Sequence, residues 1–578
     1  MLLERLRDYA EYKLGESLPP PGYQEQPIRY LISLGSAGEY EGIIELRTKE
    51  SPRGLVKQAP QVKRTMGVTP KLLLDTGEYV LGIPRNDSKK PSNPSRVARQ
   101  HESFKQLVVA CASATNEPAV RAVATFLEHP EVVDVESIPA FDPGFPVTFR
   151  VDGVFPFELD SVKTFWGSRN VVADDAAATL DVDTCMVCET PGPVLERHPF
   201  KIRGIPGGQA QKDLISANAD PFESYGLKAS RIAPMCSVCA EAYANALNAL
   251  LASKSTSLWA GGLAYAFWPD PKTAIEDDVL TLFTQPQAHP DLVRSYMESF
   301  WSQSKLRPEI DATRYYGVAL GASGARVVVK DWIDTTVGER ARTIGRYFVL
   351  QELVDWNGDA GDFLPLNWIA GSTVRRKEEP PDIVSQSLVR LALAGTPLPL
   401  DLLYLAVRRN RAEQTVTRQR AMLIKMVLAC RLPDSELKEN TMVNLNLERA
   451  DAAYVCGRLL AIIDRVQWTA LGDVNSSVID KFYASASSNP KSVFPLLLRG
   501  AQFHLNKMAR DKPGARWALE SQLQDIMGLL DDFPITLNLQ DQGTFALGFY
   551  HQRAHDRAMA TNRKAQREAA KAGVEAVV

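Results

Sequence analysis

The sequence predicts an α+β protein: an N-terminal mixed α/β domain with a zinc-knuckle insertion, then a C-terminal all-α helical bundle. Three observations predict it. Short apolar runs punctuated by glycine and proline fill residues 24–86 and return in 134–184. Two Cys-x-x-Cys pairs, Cys185/Cys188 and Cys236/Cys239, are separated by 47 residues (189–235), room enough for a folded insertion. After about residue 380 the strand signal stops and apolar residues recur at steps of three and four. The expected divisions are 1–184, 185–380 (opening with the insertion 185–239) and 381–578.

Each element has its own signal. Charges interrupt Met1 to Tyr9 every second or third residue, which reads as an amphipathic helix and not a leader. Ile28–Leu34, a glycine turn and Gly42–Arg47 read as a hairpin. Gln61–Thr65, Lys71–Asp75 and Tyr79–Gly82 read as further strand segments. Pro84 to Pro94 is a breaker-rich basic loop, followed by a helical pattern from Ser95 to about Leu127. Pro146–Val151 is the clearest strand of 134–184. Ala240–Leu251 is rich in Ala and Leu and strongly helix-favouring. Ala264–Trp268 reads as a buried strand, and Gly321–Ala325 as the turn of a hairpin between Tyr315–Leu320 and Arg326–Trp332. In the bundle, Val455/Leu459/Ile462/Val466 and Leu519/Leu523/Ile526/Leu530 form apolar stripes, and the tail from Asn562 has little to bury. Phe222, Tyr225 and Trp268 are expected in the core. No run of about 18 apolar residues occurs, so no membrane span is expected. Cys111, Cys430 and Cys456 are isolated in sequence, which suits a reducing cytoplasm.

The paired cysteines carry the strongest chemistry. Two knuckles supply four thiolates, enough for a tetrahedral zinc site with no open position for water and hence a structural role. His198 lies inside the insertion and could replace a thiolate. Two disulfides or four reduced thiols are the alternatives. The catalytic inventory is poor: no phosphate loop, no H-E-x-x-H, no strand-flanked G-x-G-x-x-G or G-x-S-x-G. His555-Asp556 is the single His-Asp dipeptide. The expectation is a binding protein and not an enzyme.

Charge is unevenly placed. The chain carries −3 overall, yet residues 51–105 hold 11 Lys/Arg against 4 Asp/Glu, a local +7 that leaves −10 elsewhere. Such a segment suits a phosphate-binding surface, or a solvated loop. Arg408, Arg409, Arg411, Arg418, Arg420 and Lys425 form a second positive run at helical spacing.

Several separated stretches resemble the large subunit of the type I-C CRISPR interference complex (Cascade). They are Lys63–Pro70 and Leu74–Gly82; Cys185–Cys188, Ile202–Gly208, Asn218–Gly226 and Tyr243–Asn248; and Gly457–Ala461 and Gln542–Gln552. Their order matches and they span essentially the whole chain. Many members lack a complete second C-x-x-C, so the zinc expectation rests on spacing more than on family. The resemblance implies a non-catalytic subunit of an RNA-guided complex for antiviral defence. Such a subunit reads a short motif flanking the target duplex, promotes R-loop formation and docks the helicase-nuclease. It implies guide RNA-bound backbone subunits as partners, together with a small subunit translated from within the same gene; Met442 is the expected internal start.

Charge and position then nominate residues. Lys63, Arg64, Thr65, Lys71, Arg85, Asn86, Lys89, Lys90, Arg96 and Arg99 are the duplex-binding candidates. Arg408, Arg409, Arg411, Arg418, Lys481, Arg499, Lys507 and Arg510 are the displaced-strand candidates. A zinc-dependent nuclease or hydrolase, and a scaffold without nucleic-acid contact, are the rival readings.

Overall fold

The computed structural model describes residues 1–575 except 16–19, 21, 49–50, 53, 63–66, 86–91, 139–140, 174–181, 199, 218–219, 224, 274–278, 303–310, 376–378 and 440–441. The chain forms two compact units, residues 1–203 with 211–249, and 204–210 with 250–578. These units divide the chain differently from the three-part sequence reading. Most of the cysteine insertion belongs to the first unit, and 250–380 belongs with the bundle.

The first unit begins with the amphipathic helix Leu2–Tyr9, which buries Leu6. Strands β1 (Tyr23–Ile28), β2 (Tyr30–Leu34), β3 (Tyr40–Glu45), β4 (Leu55–Pro60), β5 (Leu74–Thr76) and β6 (Pro146–Val151) follow. β1 and β4 form an antiparallel ribbon; the other four form a sheet in the order β3-β2-β6-β5. β2 and β3 make the expected hairpin, while β2 and β6 run parallel, from Tyr30 opposite Val147 to Leu34 opposite Val151. A parallel pair needs a crossover, and the helices Pro94–Thr115 and Pro118–Phe126 lie within it. The Asn93 side chain accepts from Ser95 N and Pro94 opens the first helix; the left-handed Asn116 ends it. Phe149 of β6 meets Phe104 and Phe126 of these helices at ring-centroid distances of 6.5 and 5.8 Å.

Two local expectations are corrected. Tyr79 and Val80 lie in the short helix Gly77–Val80, not in a strand. The buried Asp75 carboxylate accepts from the backbone N–H groups of Lys71 and Thr76, turning the chain where an extended run was expected. Within 134–184, the helix Asp160–Ala173 follows β6 and buries Val162 and Trp166.

The short strands β7 (Val182–Thr184) and β8 (Pro191–Pro193) flank the first cysteine pair; in the second unit, β9 (Ser257–Ala260), β10 (Leu263–Pro269), β11 (Arg314–Ser323) and β12 (Arg326–Thr336) form an antiparallel meander, with β10 buried along its whole length. Trp268 is buried there as expected. The bundle runs from Asp382–Ala394 through Leu400–Glu413, Arg418–Ala429, Ala452–Leu471, Val478–Ala486, Pro490–Asp511 and Pro513–Met527 to Leu539–Glu575. No described helix is long and apolar enough to cross a membrane.

Ala452–Leu471 and Leu539–Glu575 cross almost backbone to backbone. A Cβ on Gly457 would stand 2.1 Å from the Phe545 carbonyl oxygen, and one on Gly548 would stand 2.1 Å from that of Tyr454. Beside this crossing Arg458 Nε donates to Gln552 Oε1 at 3.1 Å, and Gln552 Nε2 donates to Asp556 Oδ1 at 3.1 Å. Arg465 pairs with Asp556 at 2.8 Å, and Tyr454 Oη bonds His551 Nδ1 at 3.0 Å. Gly457→Ala and Gly548→Ala should each cost about 1–3 kcal/mol, because backbone must move. The double variant should cost less than the sum, since one separation makes room for the other. Denaturant midpoints of the four proteins check this.

Candidate metal centre and nucleic-acid interface

The four cysteines of the two knuckles converge. Their sulfurs all lie within 4.8 Å of one another, with Cys188 Sγ and Cys236 Sγ 3.9 Å apart. A tetrahedron with metal–sulfur bonds of about 2.3 Å has edges of about 3.8 Å, so the donor set and spacing fit one zinc-sized ion. The first knuckle is the loop of a small hairpin, β7 (Val182–Thr184) with β8 (Pro191–Pro193). Cys185 N donates to Thr190 O at 3.1 Å, and Glu189, left-handed at φ 58°, closes the turn with a bond to Cys185 O at 2.8 Å. The second knuckle leads into the helix Ser237–Ala252, so Cys236 caps its start and Cys239 lies in its first turn. Met186 N donates to Pro234 O at 2.8 Å and fastens the two knuckles together.

Cys185 and Cys239 are buried, while Cys188 and Cys236 are partly exposed. The hydrogen bond from Cys239 draws the Cys236 thiol down to about 5, and Cys239 is pushed up in turn. The pair thus favours one thiolate held by its neighbour's proton, and metal binding would release the protons that remain on the cluster. His198 takes no part: its buried Nδ1 bonds Tyr243 Oη at 2.9 Å, and burial lowers it to about 4. Arg7 Nη1 donates to Val187 O at 3.0 Å, so the N-terminal helix is tied to the first knuckle.

Of the duplex-binding candidates, Lys63, Arg64, Thr65, Asn86, Lys89 and Lys90 lie outside the described residues. Those flanking them are framed at one helix start. Gly67, just after 63–66, accepts from Arg96 Nη2 at 3.4 Å. Ser92, just after 86–91, donates its N–H to Arg85 O at 3.2 Å, and its hydroxyl bonds Glu78. Arg96 and Arg99 are exposed on the first turns of Pro94–Thr115, with Arg99 Nε reaching the Ser95 carbonyl at 3.4 Å. Lys71 Nζ donates to Gln26 at 3.2 Å, and Arg85 faces Asp142 at 3.5 Å in the space left by Gly144.

The bundle separates its cations into two kinds. Arg408, Arg411, Lys481, Arg499, Lys507 and Arg510 are exposed. Four others spend their charge inside the fold. Arg409 and Arg420 both pair with Glu413, and Arg418 donates to the carbonyls of Leu353 and Asp362. Lys425 Nζ donates to Val349 O at 3.3 Å and to Glu352 O. Arg420 and Lys425 are buried, so neither can track a strand, and the partners of Arg409 and Arg418 hold those two inside the fold. Phe222 and Tyr225 are corrected in the other direction: Phe222 is exposed, and Tyr225 is 100% exposed at φ 55°. Sequence reasoning also missed exposed aromatics of the bundle, among them Trp468, Phe503 and Trp517.

Two measurements follow. The purified chain should hold close to one zinc; Cys185→Ser or Cys236→Ser should lose it and unfold the insertion, read by metal analysis and protease sensitivity. Lys425 gives a pH signature. Burial lowers it from 10.5 to about 7, so between those values the folded chain binds fewer protons than the unfolded chain. Its charged form therefore costs stability below about pH 7, and that cost fades as pH rises toward 10.5. Urea midpoints of wild type relative to Lys425→Met should rise across that window.

The whole chain points one way. A family model described as CRISPR-associated protein (Cas_Csd1) matches residues 5–556. No curated protein matches the sequence. The match takes in the cysteine cluster, the basic helix start and the Gly457/Gly548 crossing, and it covers nearly the full length. The chain therefore belongs to the Cas_Csd1 family of CRISPR-associated proteins.

Proposed function

We propose that this chain is the non-catalytic large subunit of a type I-C RNA-guided surveillance complex, and that its first unit captures the duplex beside the target. The supporting observation is the clustering at the start of Pro94–Thr115. Arg96 and Arg99 stand there exposed, Gly67 is bound to Arg96, and Ser92 is bound to Arg85. Described residues that border both basic segments, Gly67 and Ser92, thus lie near the positive end of this helix. Lys and Arg there contact phosphates, and Thr65 or Asn86 reads a base edge. The zinc cluster holds the insertion of the same unit and does no chemistry, because four sulfurs fill its shell.

Exposed Arg408, Arg411, Lys481, Arg499, Lys507 and Arg510 give the bundle a track for the displaced strand. Guide-bound backbone subunits, a helicase-nuclease and a small subunit begun at Met442 complete the assembly. Such a product keeps the crossing of Ala452–Leu471 with Leu539–Glu575. It lacks Leu403, Ile424 and Leu428, which surround Gly543 in the full chain. That bared apolar face requires cover, which docking in the complex supplies.

Neutralising Lys63 with Arg64, and separately Arg96 with Arg99, should weaken target-duplex binding by about 1–3 kcal/mol per lost contact. Each should also reduce the salt dependence of binding, with assembly on the guide-bound subunits intact. Normal duplex binding with failed assembly would reassign this surface to a subunit interface.

A further inference from the structure

The helix Pro490–Asp511 has two faces of opposite kind. Phe494, Leu497, Ala501, Leu505 and Met508 are buried, with Phe494 stacked on Phe533 at 5.1 Å. On the outer face Leu496, Arg499, Phe503, Lys507 and Arg510 follow at steps of three and four, all exposed. Phe503 is 68% exposed, so the core does not need it. Residues 490–510 contain Lys491, Arg499, Lys507 and Arg510 and no Asp or Glu. Lys491 pairs with Asp532, whereas the described residues form no ion pair with the other three. After the turn at Lys512, Trp517 is 74% exposed on the helix Pro513–Met527. Lys512 Nζ donates to Thr469 O at 2.7 Å, placing this turn beside the end of Ala452–Leu471 that carries Trp468, 67% exposed.

An exposed ring set between cations that have no acidic partner among the described residues complements a ligand with flat apolar faces and negative charge between them. We infer that the face binds single-stranded nucleic acid by stacking unpaired bases on Phe503 and Trp517, with Arg499, Lys507 and Arg510 holding the intervening phosphates. This rests on the displaced-strand reading above and adds to it the part of the strand that is recognised. The spacing suits the role. Arg499 and Lys507 stand four residues either side of Phe503, about 6 Å along the helix axis, so one ring sits between two cations. Stacking of this kind accepts any base, because every base has a π-face.

The full-length chain is titrated with labelled oligothymidine, and with an abasic deoxyribose-phosphate strand of equal length, over a range of salt. Phe503→Ala/Trp517→Ala should weaken oligothymidine binding about ten-fold or more, leave abasic binding unchanged and keep the salt slope. Arg499→Gln/Lys507→Gln/Arg510→Gln should weaken both probes and lower the salt slope by about 0.7 per cation. Oligothymidine should quench tryptophan emission in wild type more than in Trp517→Ala. All variants lie on the surface, so melting temperatures should match wild type. Wild-type affinity in the aromatic variant, with a reduced slope in the arginine-lysine variant, overturns stacking and leaves the phosphate track standing. No effect from either variant, or no binding by wild type, overturns both. Unchanged strand binding with lost assembly in the aromatic variant makes the face a protein interface and overturns the proposal.

Discussion

Close approach of two helix backbones organises the second unit. Where Ala452–Leu471 meets Leu539–Glu575, Gly457 and Gly548 each lie against a carbonyl of the other helix, with no side chain between. Apolar residues of both helices pack around that contact, and beside it the polar side chains form a linked chain. Arg458, Gln552, Asp556 and Arg465 link in series, with Tyr454 and His551 beside them. Burial holds His551 well down to about 3, so it is neutral at physiological pH and serves the network as an uncharged group. Such a network is favourable as a set and costly in part, which makes the crossing geometrically specific.

That constraint explains stretches which the sequence presented simply as family-like. Gly457–Ala461 and Gln542–Gln552 are the two sides of the crossing, and Gly543 makes room for Leu403, Ile424 and Leu428 of other helices. A comparable economy holds in the first unit. The Cys236/Cys239 knuckle opens a helix whose Tyr243 then bonds His198, and whose Asn248 accepts from Arg203 N at 2.9 Å and donates to Lys201 O at 2.9 Å. One helix and the residue before it thus supply half of the cysteine cluster and pin the insertion between the knuckles.

Much of this was legible in the residues, for identifiable reasons. The cysteine cluster was, because ligand spacing is a local property. The β2–β3 hairpin, β10, the β11–β12 hairpin and the bundle were, because their apolar periods are clean. Tyr79–Val80 was misread because a short buried run has no period of its own, and the turn is set by Asp75, whose role is invisible in one dimension. Arg420 and Arg411 look alike in sequence. What separates them is Glu413, on the neighbouring helix, and for Arg418 the carbonyls of Leu353 and Asp362, some 56 to 65 residues away. Phe503 and Trp517 were passed over because an aromatic is core by default. The buried stripe Phe494/Leu497/Ala501/Leu505/Met508 already claimed the inner face, and that was the available signal.

The parallel pairing of β2 with β6 has a consequence for the chain as it is made. Tyr30 must wait for Val147, 117 residues later in synthesis. At about 5–20 residues per second that is roughly 6–23 s during which β2 has β3 on one edge and nothing on the other. The unfilled edge carries Tyr30, Ile32 and Leu34, all buried in the finished sheet. A strand edge left open beside apolar side chains invites another nascent chain to fill it. Slower synthesis through residues 40–150 lengthens that exposure, and cover of the edge by a chaperone in the interval would limit it.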